Sequence, residues 1–486
     1  MNAFDLDILT IWIVAFAEGF STLAVEVIAI RLAIPVAGSS MTLTGVMLGV
    51  VLFALSAGYW RGGELSARCD SSRMRAALTR NLLLSGVIYV ALSFPAEAIL
   101  LGKLLDAGLG LALGIGVAAT ALFALPVYFV AQTVPLLAEL TNTEGKAGKA
   151  SGKVLFYSTV GSVAGGIVTP IFLFPHLGVR GSTYVVCGLL FGASALMAAR
   201  WTARGTILSA GALFLVAVHV ISEAAKPANE QFSFDSAHQN IRIVEERTAA
   251  GRLERVMYLN GGRASGIFSG SGQSSFEYVR EAGRILTAVR SARVLAVGAA
   301  GFTFPRDAAA MPFVEQVDAV DVDPVVRVIA ERQFLRQPLP AKIRFFPRSA
   351  RYALRRFRQQ GMRYGFVLLD AYSGMGVPDE LLTVDFFRDV HAVAERAAVN
   401  FILDRATESE FACNVLASFR TVFGRVWLKD VKPGDEEITN FLVTDWEIPG
   451  SAEWTGTGRI YTDDRNSADR DHIRMIWGES GADLGY

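Results

Sequence analysis

The chain has 486 residues, 52% of them hydrophobic, and a mean hydropathy of +0.37. A composition this apolar excludes an ordinary soluble protein and predicts membrane spans. Its 46 basic and 46 acidic residues leave no net charge, which excludes the basic surface typical of nucleic-acid binding. Three scattered cysteines and five histidines show neither a disulfide framework nor a metal-ligand spacing, so we expect no metal.

The first part of the chain is a series of long apolar stretches. Because roughly 20 apolar residues cross a bilayer, they predict spans at about 9–34, 42–60, 81–102, 107–137, 154–176, 181–199 and 205–222. The first span is too long for a cleavable signal peptide and lacks a basic segment before it. The fourth stretch is long for one helix and short for two, and Pro126 and Pro135 are expected to break it into a span and a surface segment.

Basic residues in alternate loops predict the orientation of these spans. They are Arg61, Arg68, Arg73, Arg75, Arg80, Lys146, Lys149, Lys153, Arg200 and Arg204. Lys and Arg favour cytoplasmic loops, so these loops and the amino terminus are expected in the cytoplasm. Seven spans place the second half of the chain on the far side of the membrane, whereas an even number keeps it cytoplasmic. The side of that half stays open at this point.

The predicted spans also contain glycines and charges. Gly161 and Gly165 form a GxxxG pattern, which predicts close packing of two helices. The ionisable residues within the spans are Glu18, Glu26, Arg31, Glu97 and His219. Such groups mark either a site or a structural pair, and the spacing of Glu26 and Arg31 suits a pair.

The second half begins after a polar linker, Lys226 to Gln231, and predicts a small β region. Asn240–Glu245 and Arg255–Leu259 alternate apolar and polar residues, and a hairpin turn is predicted at Asn260–Gly262. A helix is predicted over Ser274–Val289.

The segment from Arg293 to Asp323 predicts a nucleotide-binding unit. Val294–Val297 is a buried strand, Gly298 and Gly301 allow a tight turn close to a ligand, and a helix follows near Arg306–Met311. Val317–Val322 is the next strand, with Asp321 and Asp323 at its carboxyl end. An acid at this point accepts hydrogen bonds from ribose hydroxyls. The alternative is a doubly wound domain whose glycines only make a turn.

Further strands and helices alternate, which predicts a parallel, doubly wound sheet. The predicted strands are Lys342–Phe346, Phe366–Leu369, Val399–Leu403, Val426–Lys429 and Asn440–Val443, and the helices are Ala350–Gln359, Phe386–Arg396 and Asn414–Thr421.

Asp370 follows the buried strand Phe366–Leu369, where open α/β sheets place their ligands. A carboxylate there either accepts a proton from a nucleophilic amine, or orients it, or else caps the next turn. The loop after it is rich in Gly, Ser and Pro and is predicted to act as a lid.

These segments resemble the spermidine synthase (polyamine aminopropyltransferase) family, and the whole chain looks like its membrane-fused bacterial relatives. The resemblance rests on FAEGFSTLAVEVIAIR in the first span and on HQNIRIVEE, YLNGGRASG, FEYVREAG, VLAVGAAGF, VDVDP and LLDAYSGMGVPDELLTVDFF. It implies a multi-pass helical membrane domain (residues 1–225), a small β subdomain with its linker (226–285) and a Rossmann-like α/β domain (286–486). The implied location is the bacterial inner membrane.

The resemblance also implies a reaction, the transfer of an aminopropyl group from decarboxylated S-adenosylmethionine to an amine. By match, Asp370 deprotonates or orients the amine and Asp321 holds the ribose. The other expected donor contacts are Gln239, Gly298, Gly301 and Ser349, and the expected substrate contacts are Tyr278, Tyr372 and Ser373.

The chain departs from the family where the family carries acids. The substitutes are Gly301 in the glycine run, Ser349 at the adenine, Ser373 in the loop after Asp370, and Asn260, Ser274, Ser275 and Arg280 around the β subdomain. A desolvated diamine needs acidic partners for both charges, so we expect an acceptor other than putrescine.

Three hypotheses follow. The first is a membrane-anchored transferase that uses decarboxylated S-adenosylmethionine or S-adenosylmethionine, with a small-molecule or membrane-delivered acceptor; aminopropyl and methyl transfer are not separated. The second is a degenerate transferase domain that serves as a binding or assembly module on a membrane scaffold. The third is a transporter with a regulatory domain. The lipid bilayer is an expected partner, a homo-oligomer is a further expectation, and nucleic acid is not expected.

Overall fold

The computed structural model describes residues 8–37, 41–93, 103–104, 111–142, 145–224, 226–374, 376–432, 434 and 436–477. These residues fall into two compact units, a first unit within residues 1–227 and a second unit within residues 228–486. The boundary falls within the predicted polar linker.

The first unit consists of helices. They are α1 (Ile8–Ala37), α2 (Met41–Arg68), α3 (Ser71–Ser93), α4 (Leu111–Ala119), α5 (Leu125–Ala131), α6 (Thr133–Thr141), α7 (Ala147–Val168), α8 (Phe174–Met197) and α9 (Trp201–Ala224). In the part of the chain described, six helical segments are long and apolar enough to cross a membrane.

The fifth of these segments, Ala147–Met197, contains both the fifth and the sixth predicted spans. A straight helix of its 51 residues would be about 77 Å long, more than twice the hydrocarbon thickness of a bilayer. Gly178 interrupts it with φ 68° and ψ −179°. The described residues thus give six candidate spans where the sequence predicted seven, and the predicted fifth and sixth spans fall within this one segment.

Two spans differ from the sequence prediction. Helix α3 begins at Ser71, ten residues before the predicted span, because Asp70 Oδ1 accepts the Arg73 N–H (2.8 Å) and starts the helix there. The fourth stretch, which the sequence left open between one helix and a break, forms one candidate span from Leu113 to Thr141, in which α5 ends at Ala131 and α6 begins at Thr133. A π-helical turn at Thr120–Ala124 precedes Pro126. Because Pro126 has no N–H to donate, this wider turn lets the helix continue past it.

The GxxxG prediction of close helix packing is confirmed. A Cβ on Gly161 would lie 2.1 Å from the Phe16 main-chain oxygen, and one on Gly165 would lie 2.3 Å from that of Phe20. Helices α1 and α7 therefore touch backbone to backbone. Beside this contact the buried Glu18 accepts a hydrogen bond from Ser158 Oγ (2.6 Å). Glu97 lies outside the described residues.

The second unit opens with an antiparallel sheet of four strands. They are β1 (Glu230–Asp235), β2 (Asn240–Arg247), β3 (Leu253–Leu259) and β4 (Gly262–Phe268), in the order β1-β2-β3-β4. The predicted hairpin turn is confirmed, because Asn260 (φ 47°) and Gly261 (φ 80°) both adopt the left-handed conformation that a two-residue hairpin needs. Strand β1 was missed because the polar linker pattern runs into it.

An eight-stranded sheet forms the rest of the unit. Its strands are β5 (Arg293–Val297), β6 (Gln316–Asp321), β7 (Ile343–Pro347), β8 (Phe366–Leu369), β9 (Ala397–Asp404), β10 (Trp427–Asp430), β11 (Ile438–Thr444) and β12 (Ala452–Glu453). Their order is β12-β10-β11-β9-β8-β5-β6-β7. Strands β5 to β9 are parallel as predicted, but β10, β11 and β12 pair antiparallel, so the sheet is mixed. The prediction of an all-parallel sheet is wrong at this edge, since the seven residues that join β10 to β11 are too few for a crossover connection and reverse the chain.

Helices cover both faces of this sheet, so its central strands are apolar throughout. They are α10 (Glu277–Val289), α11 (Thr303–Ala309), α12 (Val326–Ile329), α13 (Ala350–Gln359), α14 (Val384–His391), α15 (Glu410–Phe423) and α16 (Ala468–Trp477). In β8, Phe366 and Leu368 join the core on one face and Val367 and Leu369 join the core on the other. The carboxyl ends of β5, β6 and β8 meet at one edge, where the chain order reverses between β5 and β8.

We predict that Gly161→Ala destabilises the first unit, because the added methyl group forces α1 and α7 apart. Overpacking of this kind typically costs about 1–3 kcal/mol. Thermal unfolding of the detergent-solubilised protein measures it. The matched control is Gly152→Ala on the same helix, where a Cβ meets nothing within 4 Å. The control is expected to keep or raise the midpoint, and an equal loss in both variants would contradict the proposed contact.

Candidate active site

A cavity of about 840 Å³ lies at the carboxyl ends of the central strands of the second unit. Gly298, Asp321 and Asp370 line it from the ends of β5, β6 and β8. Gln239 lines it from the four-stranded sheet, and Tyr278 lines it from α10. The cavity therefore brings together residues that were predicted separately along more than 130 positions of sequence.

Gly298 makes the floor of the cavity possible. Its φ of 91° is left-handed, and a Cβ there would lie 2.0 Å from the main-chain oxygen of Asp370. The Asp370 N–H in turn donates to the Val297 oxygen (2.8 Å). Any side chain at position 298 would push the turn after β5 away from the end of β8.

Gly301 plays a packing role. A Cβ on it would lie 2.5 Å from Phe334 Cε1, and its N–H donates to Ser265 Oγ (3.1 Å). Ser265 belongs to β4, so this glycine joins the turn to the small sheet. Ala300, with φ 39°, supplies the cavity wall beside it. Contact of Gly301 with a donor stays a prediction.

Asp321 organises the glycine turn and faces the cavity. Its Oδ2 accepts the N–H groups of Ala299 (3.1 Å) and Ala300 (3.3 Å), and its Oδ1 accepts that of Asp323 (3.0 Å). Burial raises the pKa of Asp321, and these backbone donors partly oppose the rise. A carboxylate has lone pairs beyond those used, so it retains capacity for a ribose hydroxyl. Asp323 instead binds Ser236 Oγ (2.5 Å) of the small sheet.

Asp370 is held by two neutral donors. Tyr278 OH donates to its Oδ2 (2.7 Å), and Asn400 Nδ2 donates to its Oδ1 (2.9 Å). Burial raises the pKa of Asp370 to about 6, and the two hydrogen bonds oppose the rise. The carboxylate is thus poised near neutral pH with no cationic partner among the described residues. This arrangement suits a group that accepts and returns a proton.

Asn400 and Asn440 were missed by the sequence analysis. Asn440 Nδ2 donates to Asn400 Oδ1 (3.0 Å), which fixes the amide so that its nitrogen faces Asp370. Both residues line the cavity from the neighbouring strands β9 and β11. The available signal was a polar amide within each apolar strand run, VNFIL and NFLV.

Tyr372 lines the cavity with its ring, because its hydroxyl is already engaged. That hydroxyl donates to the Asn400 main-chain oxygen (3.1 Å) and accepts the Ile402 N–H (2.9 Å). The loop after Asp370 is thereby tied to β9. A polar contact from Tyr372 to a substrate stays a prediction, and an apolar one fits the geometry.

Two further predicted donor contacts lie in the cavity wall. Gln239 is 6% exposed, and its Nε2 has no hydrogen-bond partner among the described residues. A buried amide donor without a partner is costly, and a bound ligand would satisfy it. Ser349 is the N-cap of α13, where its Oγ accepts the Tyr352 N–H (3.4 Å). Its hydroxyl hydrogen remains available to the cavity.

At several positions where the resembled family carries acids, this chain has uncharged side chains. They bond either to one another or to a carboxylate that is itself paired with a basic residue. Asn260 Nδ2 donates to Ser373 Oγ (3.3 Å), so these two substituted positions are one polar, uncharged pair. Ser275 Oγ bonds to Glu254, a buried carboxylate from β3. That carboxylate is compensated by Arg263 (2.8 Å). No cluster of three His, Cys, Asp or Glu side chains suited to a metal ion occurs among the residues described.

We predict that Asp370→Asn flattens the dependence of unfolding free energy on pH between about 4 and 7. The folded pKa of about 6 exceeds the unfolded value of roughly 3.9, so the neutral form stabilises the fold at low pH and this stability is lost as pH rises through 6. A difference of two pKa units between the folded and unfolded states corresponds to roughly 3 kcal/mol of unfolding free energy. Solvent access to the cavity lowers this contribution to about 1–2 kcal/mol.

Chemical denaturation at pH 5 and pH 8 measures this effect. Asp464→Asn is the control, since the described residues show no hydrogen bond to that exposed side chain. A variant that titrates like the wild type would show that Asp370 ionises freely.

The chain is similar to a known polyamine aminopropyltransferase over part of its length. No protein-family model matches the chain. A polyamine aminopropyltransferase from Vibrio vulnificus is 31% identical over 153 residues, which are 31% of this chain and 50% of that protein. The chain thus spans about half the length of this curated relative.

Solved structures give the same likeness. A probable spermidine synthase from Corynebacterium glutamicum has a TM-score of 0.37 at 17% identity and covers 52% of this chain and 95% of its own. The spermidine synthase from Thermotoga maritima has a TM-score of 0.36 at 15% identity, with 49% and 82% covered. The chain is therefore similar to a polyamine aminopropyltransferase over part of its length, and its described residues include six helical segments long and apolar enough to cross a membrane.

Proposed function

We propose that this protein is a membrane-anchored transferase that takes a group from an S-adenosylmethionine-type donor, with Asp370 as the proton acceptor. The observation that carries the proposal is the carboxylate of Asp370, held only by neutral donors and of raised pKa, in an 840 Å³ cavity that is also lined by a buried amide without a hydrogen-bond partner among the described residues, Gln239. Perturbed titratable groups in a cavity are typical of catalytic sites.

The donor side of the cavity lies over the ends of β5 and β6. Asp321 offers lone pairs for ribose hydroxyls, the Gln239 Nε2 offers an N–H, and the Ser349 hydroxyl stands at the start of α13. Decarboxylated S-adenosylmethionine and S-adenosylmethionine share the nucleoside that these groups would bind. Both donors are therefore candidates, and their affinities, measured by calorimetry, distinguish them.

The acceptor side lies at Asp370, Tyr278 and Asn400. In the proposed step the acceptor nitrogen attacks the carbon next to the sulfonium sulfur. The C–N bond forms, the C–S bond breaks, and sulfur keeps the electron pair as a neutral thioether. The proton released from the nitrogen moves to Asp370 Oδ1 or Oδ2, whose neutral form the buried site favours.

The charges in the cavity support an acceptor with one amine. Several lining carboxylates already have basic partners, as in the pairs Glu254–Arg263, Glu277–Arg280 and Glu436–Lys432. The Asn260–Ser373 pair is uncharged. A second ammonium group of a diamine would be desolvated beside these paired or uncharged groups, which is costly.

Gln239→Met is expected to weaken nucleotide binding and to leave the fold intact. The Nε2 group makes no hydrogen bond that the described structure would lose, so unfolding free energy stays equal or rises. Loss of one hydrogen bond to the ligand lowers affinity by roughly tenfold. Calorimetry on the full-length protein tests S-adenosylmethionine, its decarboxylated form and methylthioadenosine.

The matched control is Gln359→Met, which makes the same change on the exposed side of α13. It should bind like the wild type. If none of the three nucleosides binds the wild-type protein, the transferase proposal fails and the domain is a binding or assembly module. If Gln239→Met binds with unchanged affinity, the assignment of Gln239 is wrong.

A second test follows the protonation of Asp370. The rate of methylthioadenosine release from decarboxylated S-adenosylmethionine, with n-butylamine as acceptor, is expected to rise with pH through about 6 as Asp370 ionises. Tyr278→Phe removes a donor that stabilises the ionised form, so the midpoint should move to higher pH.

Tyr258→Phe is the control for this profile. Its hydroxyl donates to Glu246 (3.1 Å) and not to Asp370, so its midpoint should match the wild type. Putrescine in place of n-butylamine is expected to react more slowly. A midpoint that does not move in Tyr278→Phe would argue against Asp370 as the titrating group.

A further inference from the structure

Residues 376–382 form a cover segment between the loop after Asp370 and helix α14. Pro378, Glu380 and Leu381 of this segment line the cavity. Its own regular structure is one short helical turn, Asp379–Leu381, with local bonds from Leu381 N to Pro378 O (2.8 Å) and from Leu382 N to Asp379 O (3.1 Å). So little internal structure cannot fix its position, and contacts from outside must do so.

Arg351, in the first turn of α13, makes the most of these contacts. Its Nε and Nη2 donate to the Glu380 main-chain oxygen (2.9 and 2.7 Å), and Nη2 also donates to Thr383 Oγ1 (2.6 Å). The same guanidinium lines the cavity two residues beyond Ser349. The Arg351 side chain thus connects the cavity wall near Ser349 with the carboxyl-terminal end of the cover segment.

The carboxyl-terminal part of the chain orients Arg351. Both oxygens of Asp463 accept hydrogen bonds of 2.5 Å from its two Nη groups. Asp463 Oδ1 also accepts the Thr383 hydroxyl (2.8 Å). A two-point bond between guanidinium and carboxylate is among the stronger and more directional contacts available to proteins. The Arg351 side chain is 17% exposed and that of Asp463 is 40% exposed, so water reaches the carboxylate of the pair more readily than the guanidinium.

Other residues of the carboxyl-terminal part contact the segment directly. Asn466 Nδ2 donates to the Asp379 main-chain oxygen (2.8 Å), and the His472 ring lies where a Cβ on Gly376 would be 3.3 Å away. The Val384 N–H donates to the Tyr461 oxygen (2.9 Å), just after the segment. The carboxyl-terminal part of the chain thus contacts the segment near Gly376 and at Asp379, and contacts Val384 just after it.

Like charges oppose this closed arrangement. Burial and, to a smaller extent, the nearby carboxylates of Asp469, Glu380 and Asp471 together raise the pKa of Asp379 to about 7. These groups repel one another across the interface between the segment and α16. The contacts of Arg351 and Asp463 act against that repulsion, so the position of the segment depends on them.

We infer that Arg351 and Asp463 are positioning residues that hold the cover segment over the cavity, so that the carboxyl-terminal part of the chain controls opening of the site. The inference concerns the same cavity and deepens the proposed function, but its first test does not depend on that function.

The test is amide hydrogen exchange in the detergent-solubilised full-length protein. Asp463→Asn keeps the size of the side chain and removes the charge that binds Arg351. Exchange in residues 376–383 is expected to rise by roughly tenfold, the effect of losing one charge-assisted hydrogen bond. The matched control, Asp464→Asn, makes the same change one position along, and its exchange should equal that of the wild type. Asp463→Glu, which keeps the carboxylate, should restore most of the protection.

Unchanged exchange in the segment of Asp463→Asn would overturn the inference, and so would an equal increase throughout the second unit, which would indicate a general loss of stability. If Asp463→Asn does not fold, Asn466→Ala gives the same test, because it removes the direct donor to Asp379; protection of the segment should then fall, and unchanged protection would overturn the inference.

A second readout separates this inference from the proposed function. If methylthioadenosine binds the wild type, its dissociation from Asp463→Asn should be faster. If it binds neither protein, the proposed function fails, while the exchange data still decide the role of Arg351 and Asp463.

Discussion

The close approach of Gly298 to the main-chain oxygen of Asp370 is the constraint on which the site depends. It brings the turn after β5 against the end of β8, at the point where the order of the strands reverses. Asp321, the acid proposed to hold the ribose, accepts hydrogen bonds from Ala299 and Ala300 of that same turn. Both carboxylates that matter for the proposed chemistry are therefore positioned by one short stretch of backbone.

The chemistry around Asp370 follows from what its neighbours lack. Tyr278 and Asn400 donate hydrogen bonds without bringing a charge, so burial keeps the pKa high. An arginine or lysine at either position would hold the carboxylate ionised and reduce its use as a proton acceptor. Asn260 and Ser373 are likewise uncharged and hydrogen-bond to each other, at two positions where the resemblance led us to expect acids. For the proposed reaction, these charges suit a substrate that gives up one proton to Asp370 better than a substrate that carries several positive charges.

The small sheet, the central sheet and the carboxyl-terminal part of the chain all meet around the loop after Asp370. Gly374 lies against Gly262 of the hairpin so closely that a Cβ on Gly262 would be 2.2 Å from its oxygen. On the other side Asn466 and His472 contact the cover segment. A loop held between two partners in this way responds to changes in either, which links substrate access to parts of the chain remote from the chemistry.

Much of the second unit could be predicted from the sequence, because its signals are local. The apolar run Phe366–Leu369 is observed with the bounds predicted for it, and the Asn-Gly turn needs two left-handed residues that few other pairs supply. Asp370 was found because it follows a buried strand. In the membrane unit the spacing of Gly161 and Gly165 was likewise sufficient, since it repeats along one face of a helix.

The tertiary structure decided what depends on distant partners. Asn400 and Asn440 look like isolated polar residues in two strands, and only the antiparallel pairing of β9 with β11 places their amides together beside Asp370. Gly301 looks like part of a ligand loop, but the packing of Phe334 and Ser265 explains it. Arg351 and Asp463 are 112 positions apart, so no local pattern could join them. Sequence periodicity reports the environment of a residue, whereas its partner is fixed only when the chain has folded.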